Sequence, residues 1–485
     1  MAVVTVKTAL ILGGGPTALA TAYRLAEHGV SVKVIERLPW TGGLCKTFDH
    51  GDLLLDIGPH RFTPHTEEVL KFVQDLCGDE LMNVPEHIKF FLFNQLVTYP
   101  FKILELLRIA PPWLAFFWGG SWVFDSVLAR VKALFGRDIQ TYEQWAYARF
   151  GRGVTNSVLR PIAEKTWGVS LSELSWRLAR QRIAFNSLGE VLLQILTGRR
   201  GNVFETSLYP QGTFLYPRYG YGTITNRMTE RIREWGGEII LSGEVTRIVV
   251  NNGSAQEVAY TQDGEEKTAS ADYVISTIPI NLFGSMLSDS MNEEKLQEVR
   301  SAASSLRFRK LILLYLVLDR DEVYDAGVAF FPGKKFKFGR TWQQHRFSGA
   351  MIPAGKCVLG VEITCWEEDE IWQANLDDAV KMILPQLEEV NLIQQSEVSD
   401  YFWVRIGYAY PVWDVNYRDN LETVQSYLMT VDNLVSNGRP GYFSYNNLHH
   451  SLEMGFLAAK HILDGGDKEA WREITRGFDE YRLIE

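Results

Sequence analysis

Bare backbone that can surround a phosphate group stands near the start of the chain. Gly13, Gly14 and Gly15 follow the apolar run 8–12, and Glu36 comes 21 residues after Gly15, at the end of the next predicted strand. Glycine has no Cβ, so its amides can approach a pyrophosphate closely, and a carboxylate at the end of the next strand can accept both hydroxyls of a ribose. The pattern predicts a dinucleotide site. The acid disfavours a 2′-phosphate, so NAD or FAD is favoured over NADP.

A strand, a turn and a helix must position these groups. The run 8–12 (TALIL) is typical of a strand that is buried in a parallel sheet. Residues 19–26 carry an apolar stripe, which predicts a helix whose N-terminal amides and dipole point at the phosphate. Ala18 takes the position of the pattern where a small residue allows close helix packing. With the strand SVKVIE (31–36), this order predicts a Rossmann-like α/β fold.

A second pair of glycines follows the acid. Gly42 and Gly43 stand in the segment RLPWTGGLCKTF (37–48), and Thr47 can add a hydroxyl donor. The presence of one glycine segment before the acid and another after it resembles the flavin amine oxidase superfamily. Members of that superfamily place a paired-glycine segment after the ribose acid, where it helps to hold the FAD pyrophosphate. The resemblance implies FAD rather than NAD. Leu44 stands where that family often has an arginine, so backbone amides are expected to make the phosphate contacts.

A histidine loop narrows the resemblance. The segment LDIGPHRFTPHT (55–66) resembles the glycine, proline, histidine loop of UDP-galactopyranose mutases, the sugar-nucleotide branch of the same superfamily. In that branch the histidine lies close to the isoalloxazine ring, and His60 matches it. The resemblance therefore implies a catalytic role for His60, whereas His65 is expected to be structural.

The segment 433–463 predicts a strand, a glycine turn at Gly438 and a long helix. Such a helix would aim its N-terminus, with its partial positive charge, at the flavin. The segment resembles the mutase signature in which an arginine and a tyrosine six residues later flank flavin and substrate. Arg439 and Tyr445 occupy those places, which implies catalytic roles, while Asn447 stands near a position where mutases often have an acid.

Substrate contacts are implied by resemblance to further segments. The stretch RPIAEKTWGVSLSEL (160–174) resembles the mutase substrate pocket, which makes Trp167 a candidate for stacking on the substrate and Arg182 a candidate anion contact. Arg340 matches a second substrate arginine of mutases. Lys310 stands at the start of a strand where amine oxidases place a lysine that holds a water against the flavin.

The strand region 236–250 resembles the family's return to the FAD domain, where the backbone at Val245 is expected to contact the adenine. The complete set of predicted cofactor contacts is Gly13, Gly15, Pro16, Ala18, Glu36, Arg37, Gly42, Gly43, Leu44, Val245, Gly438, Arg439 and Leu448.

These resemblances imply a discontinuous architecture. The Rossmann-like FAD-binding domain is expected to comprise residues 1–75, 215–285 and 405–485, and an inserted α+β substrate-binding domain is expected to comprise 76–214 and 286–404. The flavin would lie where the two domains meet.

Composition bounds the class of protein. A chain of 485 residues with 46% hydrophobic and 22% charged residues is typical of a soluble protein of two or three domains. The net charge of −10 disfavours a nucleic-acid binder. Its 4 cysteines form neither a CxxC pair nor a zinc ligand set, so we expect no metal centre and a cytoplasmic setting.

One apolar run, IAPPWLAFFWGGSWVF (109–124), is too short to span a bilayer, which takes about 20 apolar residues. Three alternatives remain open for it. The run could form a buried helix pair in the second domain, a peripheral patch on a membrane surface, or the wall of an apolar substrate channel.

The resemblance implies flavin chemistry on a small molecule, either a sugar nucleotide, a porphyrin-like compound or an isoprenoid. We favour an oxidoreductase that transfers hydride between an organic substrate and flavin N5, similar to protoporphyrinogen oxidases. The alternative is a mutase-like isomerase that uses reduced FAD as a nucleophile. A minor alternative is a non-enzymatic carrier that resembles Rab GDP dissociation inhibitors.

Overall fold

The structure is a computed structural model that describes residues 6–99, 108, 111–134, 138–183, 189–190, 208, 212–289 and 292–483. Its α-helices within these residues are Pro16–Glu27, Glu67–Cys77, Pro112–Leu134, Tyr142–Val154, Arg160–Trp167, Trp176–Arg182, Gly222–Glu234, Ile280–Met286, Glu293–Ser304, Glu370–Gln373, Leu376–Glu389, Tyr417–Leu428, Gly438–Gly441, Leu448–Leu463 and Lys468–Phe478.

A parallel sheet forms the first layer. Within the described residues its strands stand in the spatial order Leu434–Ser436, Tyr273–Ser276, Thr8–Leu12, Ser31–Ile35 and Glu238–Ile240. In register, Leu12 lies beside both Ile35 and Ser276, so the carboxyl ends of these central strands share one edge. Ligands bind outside that edge in open α/β sheets. The predicted Rossmann-like α/β fold is confirmed.

Two helices begin at this edge and pack against each other. Pro16–Glu27 follows the first glycine turn, and Leu448–Leu463 follows the last strand of the sheet. Their close approach depends on Gly455, because a Cβ added there would lie 2.6 Å from the Cβ of Ala20. Ala18 is fully buried beside this contact, as its predicted packing position requires.

A mixed sheet forms the second layer. Over the part of the chain that the structure describes, its strands follow the order Val398–Pro411, Phe308–Leu318, Cys357–Cys365, Arg340–Gln343, Val328–Phe330, Ile88–Leu92 and Gln95–Tyr99. The neighbours are antiparallel except for the pair that joins Val328–Phe330 to Ile88–Leu92. Helix Leu376–Glu389 contributes apolar side chains to the core on one face of this sheet. On the opposite face, Leu311, Leu313 and Tyr315 belong to the same core as residues of the parallel sheet.

Smaller sheets complete the architecture. One sheet has the strand order Glu265–Ala269, Ser254–Gln262, Gly243–Asn251 and Leu287–Asp289. Two hairpin-like pairs are Thr47–His50 with Leu53–Asp56 and Leu81–Pro85 with Thr213–Pro217. The strands of the parallel sheet come from all of the segments assigned by sequence to the FAD-binding domain, but the domain boundaries themselves stay a prediction.

The apolar run 109–124 does not form a pair of buried helices. Residues 109 and 110 lie outside the described residues, and the remainder opens the single helix Pro112–Leu134. One side of this helix packs on Tyr142–Val154, where a Cβ at Gly151 would collide with the backbone of Trp122. Its other side is exposed. None of the described helices is long and apolar enough to cross a bilayer.

Candidate functional site

A cavity of about 1000 Å³ opens at the carboxyl edge of the parallel sheet. Residues of both large sheets line it, and most of the residues that were predicted to bind cofactor or substrate meet there. The predicted residues that line the cavity are Gly13, Gly15, Pro16, Glu36, Arg37, Gly43, Leu44, His60, Val245, Arg340, Gly438, Arg439, Tyr445 and Leu448. Those that lie outside its wall are Ala18, Gly42, Trp167, Arg182 and Lys310.

The first glycine turn leaves open space above a helix N-terminus. Gly13 has a φ of +99°, its amide donates to the carbonyl oxygen of Ile35 at 2.8 Å, and an added Cβ would collide with Thr277. Gly15 is the N-cap of helix Pro16–Glu27, and a Cβ there would meet no atom of the described residues within 4 Å. Free helix amides and the dipole thus face an empty space that suits a phosphate.

The second glycine turn lies directly on the first. The Gly42 amide donates to the carbonyl oxygen of Gly14 at 2.8 Å, which ties the turns together. A Cβ at Gly43 would lie 3.2 Å from the Cα of Gly15. Gly42 has a φ of +104°, and an added Cβ would lie 2.7 Å from the Thr225 hydroxyl oxygen. Gly42 therefore supports the turn from behind, while Gly43 and Leu44 face the cavity.

The acid of the motif is held in the cavity wall. One carboxylate oxygen of Glu36 accepts the Gly14 amide at 2.5 Å, and the other accepts the Leu38 amide at 2.8 Å. Burial raises the pKa of Glu36, although both backbone hydrogen bonds oppose the shift. Each oxygen keeps a further lone pair that can accept a ribose hydroxyl. Arg37 and Val245 line the same part of the cavity.

His60 is a neutral hydrogen-bond donor inside the cavity. Its Nε2 lies 2.8 Å from the carbonyl oxygen of Leu44, which can only accept, so Nε2 carries the proton. The ring stacks on Tyr221 with centroids 4.7 Å apart. Burial lowers the pKa of His60 to about 4, so the imidazole is uncharged at neutral pH.

Asp56, which the sequence did not single out, fixes the loop that carries His60. Its buried carboxylate accepts the Tyr221 amide at 3.0 and 3.1 Å and the hydroxyls of Thr47 and Tyr216. The Tyr315 hydroxyl donates to its main-chain oxygen at 2.6 Å. Burial raises the pKa of Asp56 to about 6. Only the folded chain joins these segments, so no local sequence pattern marks the role.

Arg439 holds unpaired donors toward the cavity. Its Nη1 donates to the carbonyl oxygen of Asn446 at 3.2 Å, but Nε and Nη2 are buried and find no partner in the described part of the chain. The guanidinium carbon lies 4.8 Å from the ring centroid of Tyr445 and 5.2 Å from that of Tyr410. Buried charged donors are costly when unpaired, so this corner of the cavity suits an acceptor on a bound molecule.

Trp167 and Arg182 stand behind Tyr445 rather than in the cavity wall. Trp167 is 2% exposed, and its ring meets the Tyr445 ring edge to face at 5.2 Å. Arg182 donates to the Tyr445 hydroxyl at 2.6 Å. The predicted stacking of a substrate on Trp167 is therefore wrong for this conformation, because the indole has no face open to a ligand. The two residues instead hold Tyr445 in place.

Arg340 lines the cavity but is neutralised by Glu362, a residue that the sequence did not reveal. The guanidinium binds the carboxylate through Nε, at 3.0 Å, and through Nη2. The Tyr410 hydroxyl donates to the other carboxylate oxygen at 3.3 Å. This pairing depends on neighbouring strands of the mixed sheet, in which Arg340 lies directly opposite Glu362.

Lys310 is not brought into the cavity. Its ammonium lies 3.3 Å from the Glu367 carboxylate and 4.9 Å from the ring centroid of Trp372. The next residue, Leu311, lines the cavity instead. Successive side chains of a strand point to opposite faces, so Lys310 and Leu311 cannot both face the flavin space. The role predicted for Lys310 as the holder of a water has no geometric support.

Three histidines meet beside the cavity, although no metal centre was expected. His65, His449 and His450 each offer a ring nitrogen, and these nitrogens all lie within 4.8 Å of one another. Burial lowers the pKa of His449 well below its usual value and that of His450 to about 3.

The fold and the cavity define a flavoprotein, and the chain belongs to the flavin containing amine oxidoreductase family, whose profile matches residues 19–435. A probable UDP-galactopyranose mutase of Klebsiella pneumoniae is 26% identical over 189 residues, which cover 37% of this chain and 46% of that protein. Protoporphyrinogen oxidase 2, chloroplastic/mitochondrial, of Arabidopsis thaliana is 20% identical over 489 residues, which cover 93% of this chain and 91% of that protein.

A solved structure shares the fold. The crystal structure of reduced UDP-galactopyranose mutase superimposes with a TM-score of 0.78 at 21% identity, and the match covers 94% of each chain. The resemblance inferred from the motifs is thus confirmed, at the level of both the family and the fold. The curated mutase is matched over less than half of its length, whereas the oxidase is matched over nearly all of it.

The predicted cofactor, FAD, is confirmed by the family. The residues present fit it. Two turns of bare backbone lie in contact above a helix N-terminus, an acid stands at the ribose position, and Arg439 offers unpaired donors further along the same cavity.

Proposed function

We propose that the chain is an FAD-dependent oxidoreductase that removes hydride from an organic small molecule. When bound, FAD supplies the two-electron acceptor at its N5 position. The protein binds and orients both partners. The glycine turns and Glu36 hold the nucleotide half, and the aromatic wall at Tyr410 and Tyr445 leaves room for the substrate beside Arg439.

One observation carries the preference for an oxidoreductase: the basic residues near the aromatic wall are mostly engaged by the protein itself. Arg340 is paired with Glu362, and Arg182 is bound to the Tyr445 hydroxyl. Arg439 is the arginine of the wall with unpaired buried donors among the residues that the structure describes. This balance supports a largely apolar substrate with a single anionic or carbonyl group over a diphosphate with several charges.

His60 contributes a fixed donor rather than a titrating base. Its neutral ring is stacked on Tyr221 and its Nε2 proton is used by the Leu44 carbonyl. Because burial keeps its pKa at about 4, it holds its position and hydrogen bond across the neutral range. It therefore holds the Leu44 carbonyl of the second glycine turn through a hydrogen bond that persists across the neutral range.

A mutase-like isomerase is the second candidate. The loop that carries His60 and the placement of Arg439 and Tyr445 in one cavity support it. The deciding experiment reduces the purified flavoprotein without oxygen and follows its reoxidation by air with and without UDP-galactose. Rapid reoxidation that proceeds at the same rate with and without UDP-galactose supports the oxidoreductase. Slow reoxidation with a sugar-dependent change of the flavin spectrum overturns it in favour of the mutase, and a colourless protein that binds a lipidated partner would favour the carrier.

We also propose that helix Pro112–Leu134 rests on a membrane surface. Along one side of it lie large exposed apolar side chains, including Trp113 at 65%, Phe116 at 84% and Phe124 at 64% exposure. Arg130 is exposed near one end, and Asp125, the acid of the helix, is buried and bound to the Arg152 amide at 2.8 Å. Exposed aromatic side chains favour the interface of a bilayer, and the exposed Arg130 favours an anionic one. A cytoplasmic location stays a proposal beside this one.

A further inference from the structure

Three imidazole rings pack against one another at the edge of the cavity. His449 and His450 lie in the first turn of helix Leu448–Leu463, and His65 comes from the loop before helix Glu67–Cys77. The ring centroids of His449 and His450 are 4.0 Å apart, and that of His65 lies 4.6 Å from His449 and 5.7 Å from His450. One nitrogen of each ring lies within 4.8 Å of the others.

His449 is the member of this cluster that lacks an explanation. Its side chain is 3% exposed, and neither ring nitrogen has a hydrogen-bond partner among the residues that the structure describes. A neutral imidazole offers one donor and one acceptor, and buried polar groups of this kind are almost always paired. A group outside the described residues therefore has to complete the environment of this ring.

We propose that His65, His449 and His450 bind a divalent transition-metal ion of the zinc class. Imidazole nitrogens without carboxylates favour such ions over magnesium or calcium. Zinc-to-nitrogen bonds of about 2.1 Å place ligand nitrogens about 3.4 Å apart, so modest rotations of the rings close the cluster around an ion.

The fourth ligand would come from the side of the cluster that faces the large cavity. His65 lines the large cavity, as do Leu448 and Ser451 on the helix. A helix N-terminus carries partial positive charge, which disfavours a bare cation. A hydroxide or another anionic ligand on the cavity side offsets this charge, in the manner of sites with three protein ligands and one open position.

One local hydrogen bond competes with the ion. The backbone amide of Asn447 donates to Nδ1 of His450 at 3.3 Å, as part of the capping box of the helix. This bond is long, and a coordinated metal ion can displace it if it takes the same nitrogen. The competition predicts that His450 contributes less to the affinity than His449, which has no such partner.

The experiment uses the FAD-loaded protein, produced without a histidine tag, stripped with a chelator and dialysed against zinc chloride. We expect about one bound zinc ion per chain by elemental analysis, and His449→Ala to weaken binding by about tenfold or more. His28→Ala is the matched control, because His28 is exposed and its ring binds the Arg24 carbonyl oxygen instead. The flavin content of each variant reports whether it has folded.

His65→Ala provides the second variant, since a half-buried loop side chain can be removed with less damage to the core than His449. Loss of zinc from this variant, with FAD retained, supports the site even where His449→Ala does not fold. Zinc binding that is absent from the natural chain, or that persists unchanged in the folded histidine variants, overturns the proposal. FAD or an ordered water would then be the partner of His449.

Discussion

The amide of Gly42 donates a 2.8 Å hydrogen bond to the carbonyl oxygen of Gly14, and this bond locks two glycine turns from different parts of the motif together. Gly43 is thereby placed against Gly15, with no room for a side chain between them. Amides from both turns and from the helix that starts at Pro16 converge on one space. The binding of a pyrophosphate follows from backbone geometry rather than from a charged side chain.

Replacement of Gly43 by valine tests this geometry. The added side chain would meet the Gly15 backbone at about the 3.2 Å Cβ distance and would require a φ near +52°, which a β-branched residue rarely adopts. We expect FAD affinity to fall by at least about tenfold, in a titration followed by flavin fluorescence. Gly349→Ala should bind FAD normally, because a Cβ there meets open space. Equal affinities of both variants would contradict the phosphate site.

Glu36→Gln should weaken FAD binding by about tenfold to a hundredfold, because hydrogen bonds to a carboxylate are stronger than those to a neutral amide. Burial raises the pKa of Glu36, so protonation begins at a higher pH than for an ordinary glutamate. FAD affinity of the natural chain should therefore decline as falling pH protonates Glu36, while the Glu36→Gln variant shows no such decline. A matching pH dependence in both proteins would remove the ribose assignment.

Asp56 should leave a mark on the pH dependence of stability. Its folded pKa of about 6 lies above its ordinary value of 3.8, so the folded state holds the proton more tightly. Protonation of Asp56 therefore stabilises the folded state by about 3 kcal/mol below about pH 4. This stabilisation is lost as the pH rises through 6. We expect the free energy of unfolding in urea, measured from pH 4 to 7.5, to fall with rising pH in the natural chain. The Asp56→Asn variant lacks the titrating carboxyl and should not show this fall. A constant difference would contradict a buried, titrating carboxyl.

Tyr445 and Arg182 should act as a unit. Tyr445→Phe is expected to alter turnover while FAD stays bound, since Tyr445 lines the cavity and its hydroxyl, which binds Arg182, holds the ring in place. Arg182→Met removes the donor that fixes this hydroxyl at 2.6 Å. In a double-mutant cycle on kcat, we expect a coupling of about 1 to 2 kcal/mol. Additive effects of the two substitutions would show that Arg182 does not position Tyr445.

Most of the residues predicted to bind the cofactor follow from local patterns, and they converge on one cavity. Gly13, Gly15 and Glu36 belong to one strand, turn, helix and strand unit, so their spacing alone determines their arrangement. The second glycine pair is close enough in the chain to be recognised with it. The C-terminal turn at Gly438 was recognised from its resemblance to a family signature, and it reaches the same cavity.

The substrate half depends on contacts that only the folded sheet creates. Arg340 meets Glu362 because two strands pair in a particular register, and no sequence spacing records that register. Lys310 was assigned to the flavin side although strand alternation turns it toward Glu367. Trp167 matched a family motif, but the motif does not indicate that Tyr445 covers the indole.

Membrane contact through helix Pro112–Leu134 can be tested by sedimentation with lipid vesicles. We expect binding to vesicles that contain an anionic lipid, weaker binding to neutral ones, and a loss of about tenfold or more when Phe116 and Phe124 are both changed to aspartate. Val415→Asp is the control, since Val415 is 44% exposed in another part of the chain. A double variant that binds vesicles as the natural chain does would contradict the proposal. A shift from dimer to monomer instead would identify this face as a contact between copies of the chain.

The central claim is that the cavity holds FAD with its pyrophosphate at the joined glycine turns. A crystal structure of the purified flavoprotein measures this directly. We predict phosphate density within hydrogen-bonding distance of main-chain amides near Gly15 and Gly43, and an isoalloxazine ring at the end of the cavity where His60 and Tyr445 lie. A pyrophosphate bound elsewhere, or glycine turns filled by side chains of the protein, would contradict it.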